Sequence, residues 1–279
     1  MQEVLWLGDE ACTRTDQVGA KAAHLSRLAN IHLVPPGFAV TAMESGSVLD
    51  AALEGAIRTA YRDLVLRTRN PLVPVAVRSS AIDEDGAGAS FAGQHDTFLN
   101  VRGEDAVIDA IERCSRSASA DVALEYRRQH GLSSERPLIA VLVQLLIDPV
   151  ASAVVFSANP ITGQRDEILI TSAWGLGESV VGGTVTPDLF VLKRPGLGVV
   201  DRQIYAKDVM TVMAEGGTTE VEVPPHLRSA PSLIGSQVDA MGRLAVKLED
   251  AMGWPVDIEC AFAYDELYLL QCRPITTLS

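Results

Sequence analysis

Residues 75–101 read VAVRSSAIDEDGAGASFAGQHDTFLNV, and no ordinary strand, helix or turn requires such a string. Val75 and Val77 form one face of a β-strand that delivers Arg78 at its end. The chain then passes into small residues and acids before Ser90, Phe91, Ala92 and Gly93. An arginine carried by a strand into a loop of Gly, Ala and Ser suits a bound polyphosphate. Its guanidinium forks onto oxygens, and residues without bulk let backbone N–H groups come close. The alternative is a surface loop in which Arg78 pairs with Asp83, Glu84 or Asp85, and composition alone weighs the two evenly.

Around this stretch, helical and strand patterns alternate. Residues 17–28 read as a helix with Val18, Leu25 and Leu28 on one side and Asp16 as its N-cap, and Lys21 lies on it. Pro35, Pro36 and Gly37 turn the chain into a strand over 38–41. A helical stripe through Leu49, Leu53, Ile57, Tyr61 and Leu64 spans 48–66, and 105–126 repeats the helical period. Strands are expected over 139–146, 153–157, 167–171 and 189–192, then a helix over 232–252 and strands over 256–263 and 267–273. The plan is α+β in two lobes, 1–145 and 146–279.

Charge narrows the function classes. With 36 acids against 23 bases the net charge is −13, which argues against a nucleic-acid surface or an anionic-membrane patch. Cys12, Cys114, Cys260 and Cys272 lack both CxxC spacing and the density of a disulfide scaffold, so thiols in a reducing cytoplasm are expected. The first ten residues have no basic run or long apolar core, and the best apolar run, 138–147, is broken by Gln144, so a soluble cytoplasmic protein is expected. GxxxxGK[ST] is absent, which disfavours a P-loop kinase.

The stretch from Arg78 to Gln94 closely resembles the signature of the nucleotide-binding domain shared by phosphoenolpyruvate synthase, pyruvate phosphate dikinase and rifampin phosphotransferase: Arg78, Ser79, Ser80, Ala81, Glu84, Asp85 and Ala89 to Gln94 all match. The resemblance runs from Val18 to Thr276. It implies an ATP-grasp fold, two α+β lobes clamping ATP, with Mg²⁺. Lys21 stands where the family's VGGK-type helix start places a phosphate-binding lysine, although Ala20 replaces the second glycine. Gly93 and Thr97 fall among the implied nucleotide contacts. Gln144, Leu145 and Leu146, otherwise a core strand, fall at the implied adenine hinge. GLGESVVGGTVTPD, residues 175–188, follows a family segment that shapes the nucleotide cleft, with Glu178 a candidate contact; as a dinucleotide loop its spacing is wrong. SAVVFSANPITG from Ser152 departs from the family's pattern at Ala153, where glycine is usual.

DIECAFAYDELYLLQCRPIT, residues 257–276, supplies the chemistry most directly. Gln271 and Arg273 lie two apart on one strand and project to one face, with Glu259 on the neighbouring strand. Glu259 and Gln271 offer hard oxygens to Mg²⁺, and Arg273 offsets charge on a transferred phosphoryl group. An edge hairpin with a surface ion pair is the plain alternative. The resemblance instead implies metal and phosphate ligands here, with Lys21, Arg78 and Arg273 as the catalytic cations, and Cys260 a packing residue where tryptophan is common.

Three functions fit. The first is the ATP-grasp component of a split dikinase, phosphorylating a histidine on a separate swivel protein, with a further protein binding the small-molecule acceptor. His24, His32, His95, His130 and His226 all lie outside anything resembling a phosphohistidine motif, and no barrel-sized remainder follows, so a complete phosphoenolpyruvate synthase is not expected. The second is a free-standing small-molecule kinase producing ADP. The third is a non-catalytic ATP-binding regulatory module.

Overall fold

The computed structural model describes residues 3–82, 97–117 and 137–278. Gly93, the remainder of the signature from Asp83 to Gln94, His95, His130 and the later part of the helix expected over 105–126 lie outside the described residues. The chain divides into two units, Met1–Leu146 with Glu215–Gly217, and Ile147–Ala214 with Thr218–Ser279. The described parts are helices with antiparallel sheets, an α+β protein. Among the described residues no helix is long and apolar enough to cross a membrane.

The first unit is built on an antiparallel sheet of β1 (Val4–Trp6), β2 (Gly37–Glu44), β3 (Val75–Ala81), β4 (Thr97–Val101) and β5 (Leu138–Leu145), ordered β1-β2-β5-β3-β4. Strand alternation sends Val75, Val77, Val141 and Val143 to one face, where α2 (Ala51–Thr68) and α3 (Glu104–Ser117) bury Leu53, Ile57, Leu64, Val107 and Ile111 against them. Each such side chain contributes roughly 1.5–3 kcal/mol on leaving water. The opposite face carries α1 (Thr15–Leu28), which packs on β2, β3 and β5. The helix expected from residue 48 starts at Ala51, because Asp50 caps it: Asp50 Oδ1 accepts from the Leu53 N–H at 2.7 Å. Asn100 Nδ2 donates to Gly217 O at 2.9 Å, within this unit.

The second unit centres on an antiparallel sheet ordered β13-β12-β6-β7-β8-β9. Its strands are β6 (Ala151–Phe156), β7 (Glu167–Trp174), β8 (Asp188–Lys193), β9 (Gly198–Gln203), β12 (Val256–Ala263) and β13 (Glu266–Pro274). β10 (Val209–Ala214) and β11 (Gly217–Glu222) pair separately, α4 (Glu178–Val181) is a single turn, and α5 (Gly235–Met252) packs on β6, β7 and β12. The helix expected from residue 232 begins later because Ser232 is committed elsewhere: its N–H and hydroxyl both donate to Asp188 Oδ2, at 2.7 and 2.8 Å. Gln237 Oε1 instead accepts from the Ile234 N–H at the helix start.

All four cysteines are free thiols and buried. Burial, with Glu259 adjoining, pushes Cys260 up to about 12, and burial pushes Cys12 up to about 11. The folded protein is therefore expected to react with less than one equivalent of Ellman's reagent at about pH 8, where thiolates carry the reactivity. All four thiols should react after guanidinium unfolding. Rapid reaction of the native protein would contradict this burial.

Candidate functional site

In the first unit, α1 does not begin as expected. Its N-cap is Arg14, with no side-chain cap, and Asp16 pairs with Arg14 at 3.0 Å instead of capping. Gly19 then breaks the helix with φ 72° and ψ 167°. A Cβ there would lie 2.1 Å from Ser80 O and 2.4 Å from Ser80 Oγ, so only glycine permits this approach of α1 to β3. Ser80 serves as the cap after the break: its hydroxyl donates to Val18 O at 2.7 Å and accepts from the Ala22 N–H at 3.2 Å. Gly19 is the only residue of α1 outside helical φ/ψ, so Ala20 is helical and the lost second glycine removes no needed freedom.

This crossing sets Lys21 beside the signature strand. Lys21 Nζ donates to Ser79 O at 3.3 Å, one peptide from half-buried Arg78. Arg78 is not at the end of its strand, as expected from the small residues after it. β3 continues to Ala81 because Ser79, Ser80 and Ala81 pair with Val141, Ala140 and Ile139 of β5. Thr97 stands directly opposite Arg78 on β4, exposed. Lys21, Arg78 and Thr97 are thus brought together on the α1 side of the sheet.

Gln144, Leu145 and Leu146 run off the end of β5 in the same unit. Gln144 is buried and its Nε2 donates to Pro35 O at 3.2 Å. The N–H groups of Leu145 and Leu146 donate to Pro36 O and Pro74 O, both at 2.9 Å. Recognition of a base by these N–H groups would require those bonds to open, whereas the carbonyl groups carry a second lone pair.

In the second unit, β12 and β13 pair with Glu259 opposite Gln271 and Asp257 opposite Arg273. Residues two apart share a face, so the four side chains form a patch. On the other face Ile258 and Cys272 are buried, as are Cys260, Ala153 and Val155. Cys260 is thus a packing residue, and Ala153 occupies a regular strand position opposite Cys260. Sequence reasoning passed over Asp257. Arg273 donates to its Oδ2 through both Nε, at 2.8 Å, and Nη2, at 2.7 Å. Burial raises the Asp257 carboxyl above the ordinary range, against the lowering pull of Arg273, and neighbouring Glu259 raises it further.

The donor chemistry of this patch fits Mg²⁺. Asp257, Glu259 and Gln271 offer hard oxygens, and Mg²⁺ takes few protein ligands and completes its shell with phosphate oxygens and water. Among the described residues there is no group of three or more His, Cys, Asp or Glu able to hold a metal by itself.

Glu178 lies elsewhere in this unit, in a shallow depression of about 250 Å³ lined also by Thr184, Thr211, Thr218, Thr219 and Glu220. Gly175, which opens the GLGE segment, is there for its backbone: at φ 75°, a Cβ would meet Thr211 O at 2.4 Å, and Leu176 N–H donates to that same oxygen at 2.9 Å. The segment closes on Asp188, fully buried and paired with equally buried Lys207 at 2.5 Å. Neither had been singled out, although an acid at an inward position of a strand whose other inward residues are Phe190 and Leu192 signals a buried partner.

Lys21 and Arg78 beside the signature strand in one unit, and the acid, amide and arginine patch of β12 and β13 in the other, are thus carried by an α+β protein. Residues 45–279 match the family model described as pyruvate phosphate dikinase, AMP/ATP-binding domain, and the chain belongs to that family. It is 35% identical to a probable phosphoenolpyruvate synthase of Methanocaldococcus jannaschii, over 100% of this chain and 27% of that protein. It is 36% identical to the prodigiosin synthesizing transferase PigC of Serratia marcescens, over 98% of this chain and 33% of that protein. To the rifampicin phosphotransferase of Bacillus subtilis it is 34% identical, over 99% of this chain and 36% of that protein. The chain therefore spans about a quarter to a third of the length of these relatives.

Proposed function

We propose that this chain is an ATP-dependent phosphotransferase component of ATP-grasp type, which phosphorylates a histidine on a separate swivel protein for onward transfer to a small-molecule acceptor held by a further protein. The observation that carries the reading is the facing of Glu259 with Gln271 and of Asp257 with Arg273 on one sheet face. Lys21 and Arg78, gathered at Ser79, support it as phosphate ligands. Relatives whose names concern phosphoenolpyruvate, an antibiotic and prodigiosin share this part of their sequences, which favours a common ATP-handling module with the acceptor bound elsewhere.

In this mechanism an imidazole nitrogen of the swivel protein attacks the β-phosphorus of ATP in line. The bond from that phosphorus to the oxygen bridging it to the α-phosphate breaks and AMP leaves. Water then cleaves the terminal phosphate from the pyrophosphorylated histidine, leaving one phosphoryl group for the acceptor. Lys21, Arg78 and Arg273 offset the charge on the phosphate oxygens, and AMP and phosphate are the eventual products. Bound Mg²⁺ would neutralise phosphate oxygens from the side of Glu259 and Gln271. Nucleotide products separate the alternatives. AMP formed only with a histidine-bearing partner supports the split enzyme, ADP formed with a small acceptor makes it a kinase, and ATP binding without turnover makes it a regulatory module. Arg273→Ala is expected to lower transfer about 100-fold while weakening ATP binding only about fivefold. Glu259→Ala should raise the Mg²⁺ concentration for half-maximal rate roughly tenfold. Wild-type rates and metal dependence in both variants would remove these residues from the mechanism.

A further inference from the structure

We propose that Asp257 withholds Arg273 from phosphate until a divalent cation takes over the Asp257 carboxylate, so that cation and phosphate capture are coupled through this one ion pair. The inference rests on the ATP-handling reading above. Both described bonds use the Nε and Nη2 edge of Arg273, the edge that would grip a phosphate in a forked pair, and both end on the single oxygen Oδ2. The Asp257 side chain is 8% exposed and that of Arg273 25% exposed, so the pair lies where water screens it poorly. Glu259, two residues along the same face, sets a second carboxylate beside Asp257, with Gln271 neutral. Two carboxylates on one face offer hard oxygens to a divalent cation. A cation drawn onto Asp257 and Glu259 takes over the carboxylate that holds Arg273 and frees the arginine edge for phosphate. The linkage is reciprocal: phosphate on Arg273 must tighten the cation by the same factor.

Two binding measurements test this without turnover. For a non-hydrolysable ATP analogue in the absence of metal, Asp257→Asn is expected to bind roughly fivefold to tenfold more tightly than wild type, with a smaller gain on adding Mg²⁺. Loss of a negative charge alone would also help, so the substitution is repeated in an Arg273→Gln background, where the gain should vanish. For Mn²⁺ alone, followed by electron paramagnetic resonance, Arg273→Gln should bind several-fold more tightly than wild type, and this gain should vanish when Asp257→Asn is also present. Circular dichroism and melting confirm folding of each variant. Metal-free analogue affinity that is unchanged or lower in Asp257→Asn, or gains that persist in the double variant, overturn the latch. Failure of the wild type to bind the analogue with Mg²⁺ overturns the ATP-handling reading instead, and the Mn²⁺ arm, which needs no nucleotide, still decides the latch.

Discussion

Lys207→Ala is expected to destabilise the second unit by about 3–5 kcal/mol, a large part of the stability of an ordinary domain. Lys207 and Asp188 are both fully buried. Their pair ties down three stretches: Asp188 Oδ1 accepts from Lys207 Nζ and from the Tyr205 N–H, Oδ2 accepts twice from Ser232, and Lys207 Nζ also donates to Tyr205 O. Removing the ammonium leaves a carboxylate with hydrogen bonds but no countercharge in a site closed to bulk solvent, and that desolvated charge is the main source of the loss. The net worth of the pair is a different quantity, since two charges gave up hydration to form it. Asp188→Asn with Lys207→Met should therefore recover much of what Lys207→Ala loses. Urea unfolding of the three proteins checks both statements. A single variant less than about 1 kcal/mol below wild type would mean that water reaches Asp188.

That pair also shows where the sequence stops being legible. The terminal hairpin could be read because its strands alternate and are joined by a tight turn, but the facing of Glu259 with Gln271 could not be counted from that turn. Asp257 was equally visible two residues earlier, but its partner was not. The register shifts between Glu259 and Cys260, so counting outward from the turn does not lead from Asp257 to Arg273. Lys207 lies in a run with no regular period, and nothing local distinguishes it from a solvated lysine. β9 was missed for a related reason: all six of its residues are exposed, so it lacks the alternation that one buried face would impose. The start of α1 was misread because its effective cap, Ser80, is 62 residues from Val18. Capping is recognised from sequence only when cap and helix are neighbours.

Gly19→Ala makes that long-range cap testable and is expected to cost about 3–5 kcal/mol while abolishing measurable nucleotide binding. Two effects add. At φ 72° and ψ 167° the backbone occupies a region essentially reserved for glycine. The new methyl would also lie 2.1 Å from Ser80 O and 2.5 Å from Ser80 C, which are backbone atoms. They cannot retreat cheaply, because Ser80 is paired with Ala140 in the β3–β5 ladder. Relief must come from α1 moving off the strand, which breaks the bonds of the Ser80 hydroxyl to Val18 and Ala22 and carries Lys21 away from Ser79. Phosphate positioning tolerates little of such a shift. Ala20→Gly is the control: Ala20 is helical, so restoring the family's second glycine should cost no more than about 1 kcal/mol and leave nucleotide affinity near wild type. Thermal melts and calorimetric titration with an ATP analogue compare the two variants directly. Equal stability and affinity for both would mean that α1 does not cross β3 at the distance described, and the grouping of Lys21 with Arg78 would fall with it.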